Sequence, residues 1–358
     1  MNTGAIPFLF MRGGTSRGPY FRRCDLPQNR DDLSKVLMAI IGAGHPHNID
    51  GLGGGTSVTT KVAMLSASDD DWADVDYFFA QVGVDTCTVD YKPTCGNILA
   101  GVGPAAIEME LVSPSEMTTQ VRIRAVNTEA RIIATVMTDQ DGTVIYDGDF
   151  TIAGVHGTAA PVKLEFHDLV GSVTGTMFPT GARSEQIKGV TVTCMDVTMP
   201  MVIARADAFD LTGSELPEDL NRDRNLFARL EAVRIVAGER MGMGDVSKSV
   251  TPKVGLISAP AAGGHHARVR YFTPATCHPT LAVTGSQCIA ACLLAPSTVA
   301  EGLVAKPDRN PMVITLEHPM GSIDVSMTYR YRQQELEVIS AGLVRTARKI
   351  ASGNVFVP

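Results

Sequence analysis

The sequence predicts an α+β chain of two related lobes, each strand-rich around one central helix, and three observations carry that expectation. The first is length, since 358 residues suffice for two cores at roughly 150 residues per domain. The second is an internal repeat: residues 57–67 (SVTTKVAMLSA) match residues 249–259 (SVTPKVGLISA) at an offset of 192. The third is a pair of equivalent helix beginnings, Thr94-Cys95-Gly96-Asn97 and Thr284-Gly285-Ser286-Gln287, offset by 190 and each followed by an apolar run. Two lobes invite a cleft. If the equivalent helices face each other across a pseudo-twofold axis, their N-termini suit a ligand with two or more carboxylates. The boundary is expected between a lobe of residues 1–160, carrying Lys61 and Cys95, and a lobe of residues 161–358, whose final strand is a candidate to return to the first.

In chain order, residues 5–11 form an apolar strand that ends in a glycine-rich loop, residues 12–18, and residues 19–21 return as a second strand. Residues 29–41 carry Leu33, Val36, Leu37, Ile40 and Ile41 at helical spacing, with Gly42 and Gly44 as the stop. Residues 50–65 read as a glycine loop running into a strand; a nucleotide loop would place the strand before the glycines. Residues 74–84 and 87–91 are further strands, and Cys95 opens a helix that continues to about Glu110. Strands follow at 120–125, 130–137 and 143–147, the last two joined by the turn at 139–142. In the second half, residues 221–240 form a charged amphipathic helix with Leu226, Leu230, Val233 and Ile235 inward, residues 288–294 continue the second central helix, and residues 336–347 and 354–357 are closing strands.

Composition narrows the partners. A net charge of −7 with no clustered basic face argues against nucleic acid. The longest uncharged apolar run, residues 288–295, is far below the ~18 residues that span a bilayer. Residues 1–11 lack a basic segment followed by a long apolar one, so a cytoplasmic protein is expected. Seven scattered cysteines form neither a CxxC pair nor a disulfide framework. Cys288 and Cys292 read as core packing. The eight histidines offer no HExxH or similar spacing, so no metal is expected; His265-His266 reads as an exposed loop, and the neighbours Cys277 and His278 would point to opposite faces of a strand.

Proton transfer on carbon needs a base, an acid and a substrate whose carboxylates are pinned. Cys95 at a helix beginning meets free N–H groups and the positive end of the helix dipole, which stabilise a thiolate and attract an anion; a structural cysteine is the plainer alternative. Lys61, after a glycine- and threonine-rich turn, could move a proton or hold a carboxylate, against the ordinary solvated strand lysine. Gly13, Gly14, Thr15, Ser16, Gly285 and Ser286 would supply N–H and hydroxyl donors, and Arg12 or Arg17 a charged clamp, against plain turn formation.

The stretches at 11–18 (MRGGTSRG), 50–54 (DGLGG), 59–62 (TTKV), 74–77 (DVDY), 95–97 (CGN), 179–181 (PTG) and 251–253 (TPK) resemble the 2-methylaconitate isomerase (PrpF) family over nearly the whole chain. Within it, residues 95–104, 244–247, 256–260 and 277–278 are most similar to 4-oxalomesaconate tautomerase and the related allylic isomerase. The resemblance implies a diaminopimelate epimerase-like fold, two lobes each with a curved, mostly antiparallel sheet wrapped around the central helix. It further implies 1,3-proton transfer on an unsaturated tricarboxylate without a cofactor, in aromatic acid catabolism for the oxalomesaconate enzymes. It makes Lys61 and Cys95 the acid/base pair, with Thr59, Thr60, Gly96, Asn97 and Thr284 joining the substrate-binding set and a homodimer as the candidate assembly. The segment 283–287 is more polar than the oxalomesaconate pattern, and no cysteine occupies 284–287, which disfavours a symmetric two-thiol racemase. The alternatives are 2-methylaconitate or aconitate cis-trans isomerisation and a non-catalytic tricarboxylate-binding protein.

Overall fold

The computed structural model describes residues 4–92, 94–260, 263–274, 276–304, 309–333 and 335–357; Pro93, next to the expected helix beginning, lies outside them. The chain forms two compact units, one comprising Met1–Phe166 and Val344–Pro358, the other His167–Leu343.

The first unit contains β1 (Ile6–Gly13), β2 (Ser16–Arg22), α1 (Arg30–Ile41), β3 (Lys61–Ala67), β4 (Val75–Val82), β5 (Val89–Asp90), α2 (Gly96–Leu99), α3 (Val102–Glu108), β6 (Thr118–Ala125), β7 (Ala130–Met137) and most of β8 (Pro161–His167). Strands β1 and β2 pair antiparallel, β2 and β3 parallel, β3 and β4 antiparallel, β4 and β6 parallel, and β6 and β7 antiparallel; β5 pairs with the end of β4. On one face α1 packs through Leu33, Leu37, Ile40 and Ile41 against Val62, Met64, Ala80 and Val82. Its start is capped by Asn29, whose side chain accepts from the N–H groups of Asp31 and Asp32, and its end by Gly42 in the left-handed conformation at φ 75°. The opposite face holds α2, which touches β1 and β2, and α3, which touches β3, β6 and β7. Helices that reach strands at both ends of the pairing order require the sheet to curve around them.

The second unit contains β9 (Glu185–Ile187), β10 (Val190–Val197), β11 (Met199–Arg205), α4 (Pro217–Arg222), α5 (Arg224–Arg240), β12 (Lys253–Ser258), β13 (Ala267–Thr273), β14 (Thr276–Cys277), α6 (Val283–Leu294), β15 (Met312–His318), β16 (Gly321–Arg332) and the beginning of β17 (Glu335–Val355). Its pairing repeats the first unit's: β10 and β11 antiparallel, β11 and β12 parallel, β12 and β13 antiparallel, β13 and β15 parallel, β15 and β16 antiparallel, with β14 on the end of β13. Here α4 and α5 stand where α1 does, and α6 stands where α2 and α3 do. Lys61 and Lys253 each begin the strand that follows the parallel crossover. Helix α6 is buried on nearly every side, its residues 288–294 being apolar all round.

Several elements differ from expectation. The helix from Cys95 to Glu110 is two short helices, broken at Ala100 and Gly101. Pro104 has no N–H for the carbonyl of Ala100, and the first segment ends instead in tight bonds from Ala100 N to Asn97 O and from Gly101 N to Ile98 O. Residues 143–147 form no strand, only a bridge between Thr138 and Val144. The charged helix is divided at Asp223, whose carboxylate caps α5 by accepting from Leu226 N. Arg234 is buried, while Ile235 is only partly so. Arg234 donates to Glu231, Val246 O and Thr251 O, which compensates its charge. The two closing strands are one, β17, crossing from the second unit at 343 into the first, where it pairs with β1. His266 is no exposed loop residue: it is partly buried and its Nδ1 accepts from Thr315 N at 3.0 Å. Cys277 lies in the core around α5, where burial raises its thiol to about 11.

Candidate active site

The glycine-rich loop expected at 12–18 is mostly strand, closed by a two-residue turn at Gly14 and Thr15 with Gly13 opposite Ser16 and Arg12 opposite Arg17. Gly14 takes φ 51°, and a Cβ there would collide with Asn97 Oδ1, so the turn lies directly on the first residues of α2. Gly14 N donates to Thr346 O at 2.9 Å and Thr15 N donates to Asn97 Oδ1 at 3.4 Å. Arg12 braces the same turn from within, its Nη1 donating to Gly14 O, Thr346 O and Thr346 Oγ1 at 2.9–3.0 Å. Burial first, and Arg348 second, lower its pKa. Of the two expected arginine clamps, Arg12 is therefore occupied by the protein. Arg17 is not: its backbone N–H donates to Val58 O, its guanidinium lies 5.6 Å from the Phe10 ring, and its buried Nε has no hydrogen-bond partner among the described residues.

Lys61 sits at the first position of β3, and Gly18 on β2 passes so close to its carbonyl that a Cβ at residue 18 would overlap it. Its Nζ donates to Gln81 Oε1 at 2.8 Å and lies 5.4 Å from the Phe79 ring. Lys61 and Gln81 are direct partners across β3 and β4, and Gln81, Phe79 and Tyr77 share one face of β4 by the two-residue period of a strand. The row continues from Phe79 to Tyr77, 6.4 Å between ring centroids, and the Tyr77 hydroxyl donates to Cys95 O at 3.4 Å. The amine of Lys61 and the residue that begins α2 thus belong to the same inner face of this unit.

Cys95 is partly exposed and holds the N-cap position of α2 without capping through its side chain. Four residues are too few for an appreciable helix dipole, so the expected electrostatic help reduces to the nearest backbone N–H groups. Two buried phenols flank the segment, Tyr77 and Tyr20, the latter donating to Ile98 O at 2.5 Å. Burial, reinforced by Cys95, raises both phenols well above their ordinary range, so they act as neutral donors. Gly96 is the first residue of α2, and the Oδ1 of Asn97 is taken by the turn.

Other expected donors are buried or bonded within the fold. Thr60 is buried and its hydroxyl donates to Val82 O at 2.8 Å; Thr59 Oγ1 donates to Thr56 O at 2.9 Å; Ser16 is buried. In the second unit, Ser286 donates its N–H to Ala282 O and its hydroxyl to Val283 O at 2.7 Å. Thr284 donates to Met199 Sδ, and Gly285 packs on the Tyr271 ring. Gln287, the repeat counterpart of Asn97, is buried with neither amide atom hydrogen-bonded among the described residues. Lys253, the counterpart of Lys61, is pushed down to about 8 by burial and by Arg234. Among the described residues no three His, Cys, Asp or Glu side chains cluster as metal ligands, and no helix is long and apolar enough to cross a membrane. Sequence reading missed Tyr20, Tyr77 and Gln81; for Gln81 the available signal was one polar residue ending an apolar alternation.

Comparison with known proteins adds to this geometry. The family profile described as "PrpF protein" matches residues 4–358. The 4-oxalomesaconate tautomerase of Pseudomonas putida is 43% identical over 357 residues, covering 100% of this chain and 97% of that protein. The crystal structure of a methylitaconate-delta-isomerase superposes with a TM-score of 0.85 at 32% identity, covering 100% of this chain and 96% of that one. A hydroxyproline epimerase from Agrobacterium vitis, TM-score 0.56 at 11% identity, with 98% and 92% covered, shares the fold alone.

Proposed function

Because the chain belongs to the PrpF family and is an isomerase, we propose that it transposes a proton between two carbons of an unsaturated tricarboxylate, with 4-oxalomesaconate or a close analogue as substrate and Lys61 and Cys95 as proton carriers. One carrier takes an allylic proton acidified by the conjugated carboxylates. The resulting anion is spread over the carboxyl-bearing carbons, and the other carrier returns a proton two carbons away. Arg17, with its unspent buried Nε, is the carboxylate clamp; Gly96 and the turn at Gly14 and Thr15 let substrate approach the backbone. The observation that carries this reading is the row from Lys61 through Phe79 and Tyr77 to Cys95, with the ammonium held by a neutral amide. A carboxylate partner would lock Lys61 in its charged form, whereas an amide oxygen accepts from either the ammonium or the free amine. The identity of 43% to an oxalomesaconate enzyme, against 32% to the methylitaconate enzyme of known structure, favours the first substrate. The second reading is isomerisation of a methyl-substituted acid of the methylitaconate or methylaconitate kind, supported by the TM-score of 0.85.

Proton NMR in D2O with oxalomesaconate, methylaconitate and cis-aconitate tests this. Deuterium should enter the first substrate as product forms, and incorporation into none of the three would defeat the reading. Lys61→Ala and Cys95→Ser should each lower turnover by about 10²–10⁴-fold; full turnover in both would remove the assigned roles.

A further inference from the structure

We infer that Gln81 is a positioning residue, whose side-chain amide is itself fixed so that only its oxygen faces Lys61 and holds the amine over the Phe79 ring; the inference rests on Lys61 being a proton carrier. The orientation of the amide follows from its partners. The two hydrogens of Gln81 Nε2 are shared among four acceptors, Thr60 Oγ1 at 3.0 Å, Thr60 O and Ser57 O at 3.2 Å and Val82 O at 3.3 Å, leaving Oε1 for Lys61 Nζ at 2.8 Å. Thr60 Oγ1 can accept from Gln81 because its own proton goes to Val82 O. A flipped amide would set NH2 against the ammonium and Oε1 against the carbonyls of Ser57, Thr60 and Val82. The chain of donors therefore runs one way, from Lys61 through Gln81 and Thr60 to the carbonyl of Val82.

The pairing of β3 with β4 does not itself demand this arrangement. In the second unit Lys253 begins the equivalent strand. The register that pairs Val254 with Phe272 puts Thr273 beside it, and Thr273 gives its hydroxyl to Thr276 O. There the lysine has no amide opposite it and its pKa is depressed to about 8. The glutamine thus distinguishes the lysine of the first unit from its repeat. Among the described residues no carboxylate forms an ion pair with Lys61, whose amine, besides its bond to Gln81, lies 5.4 Å from the Phe79 ring.

The test is titration of the Lys61 amine by NMR of protein carrying ε-15N lysine, assigned with Lys61→Arg, alongside pH profiles of kcat and KM for Gln81→Glu, Gln81→Met and Thr60→Val. Gln81→Glu should move the Lys61 titration to higher pH and carry with it the limb of the kcat profile that follows Lys61, with KM changed less than about twofold. Gln81→Met should lower kcat about 10–100-fold, and Thr60→Val, which leaves Lys61 untouched and nearly conserves volume, should show a smaller fall in the same direction. A Lys61 titration unmoved in the folded Gln81→Glu protein overturns the positioning role. A shifted titration with unchanged kcat at every pH instead overturns the proton-carrier role of Lys61 while leaving the contact intact.

Discussion

The hydroxyl of Tyr77 donates to the main-chain carbonyl of Cys95 over 3.4 Å, so a buried phenol on β4 holds the residue that begins α2. That carbonyl also accepts from Leu99 N at 2.9 Å, so the bond ties the sheet to the first helical turn. Tyr77→Phe keeps the ring and removes the tie. The expected result is a loss of about 0.5–1.5 kcal/mol in urea unfolding and a severalfold fall in kcat, with KM nearly unchanged.

Gly14→Ala should be far more damaging. The residue combines φ 51° with direct contact on Asn97 Oδ1, so a methyl group meets both strain and collision. A destabilisation of about 1–3 kcal/mol, measured by denaturant unfolding, should accompany loss of turnover. Asn97→Ala in the same protein should restore part of the stability by clearing the collision.

Arg12 and Arg17 should separate stability from binding. Arg12→Ala leaves Gly14 O and Thr346 without their charged donor and should cost about 1–3 kcal/mol. Arg17→Met should unfold at nearly the same denaturant concentration yet raise KM for a tricarboxylate roughly 10–100-fold, the worth of one charge-assisted hydrogen bond pair. Equal KM in the two proteins would remove the clamp from Arg17.

Lys253 sets a pH dependence. Its pKa falls from 10.5 to about 8 on folding, so the unfolded chain binds more protons between those values and stability rises with pH across that window. Below about 8 the penalty is fully present. Lys253→Met should therefore stabilise the protein at pH 7 by about 1–3 kcal/mol, the gain shrinking above pH 8 and vanishing near 10.5 in thermal unfolding curves.

Much of this architecture was written in local pattern. Helix α1 was legible because Asn29, a 3.6-residue apolar stripe and Gly42 all agree, and the repeat at 57–67 and 249–259 foretold two units of one topology because each copy carries the strand after the parallel crossover. Local pattern fails where a distant partner decides. An apolar run does not reveal that Pro104 withholds the N–H needed by Ala100. Nor does it show that the carbonyls of Val246 and Thr251, 12 and 17 residues onward, make burial of Arg234 tolerable. The site divides the same way. Cys95 stands out from its neighbours in sequence and Lys61 through the family resemblance, whereas Gln81 emerges only from strand register, and the hydroxyls of Thr60 and Ser286 are committed to carbonyls within the fold.

Strand β17 has a consequence for biosynthesis. Residues 344–355 supply the neighbour of β1 in the unit that begins the chain. Residues 6–13 are therefore made long before their neighbour, and the outer edge of β1 waits for residues 344–355 to leave the ribosome. Until then that edge of β1 presents unpaired N–H and C=O groups, and a released chain truncated after residue 343 should be cut by protease near β1 sooner than within residues 167–343.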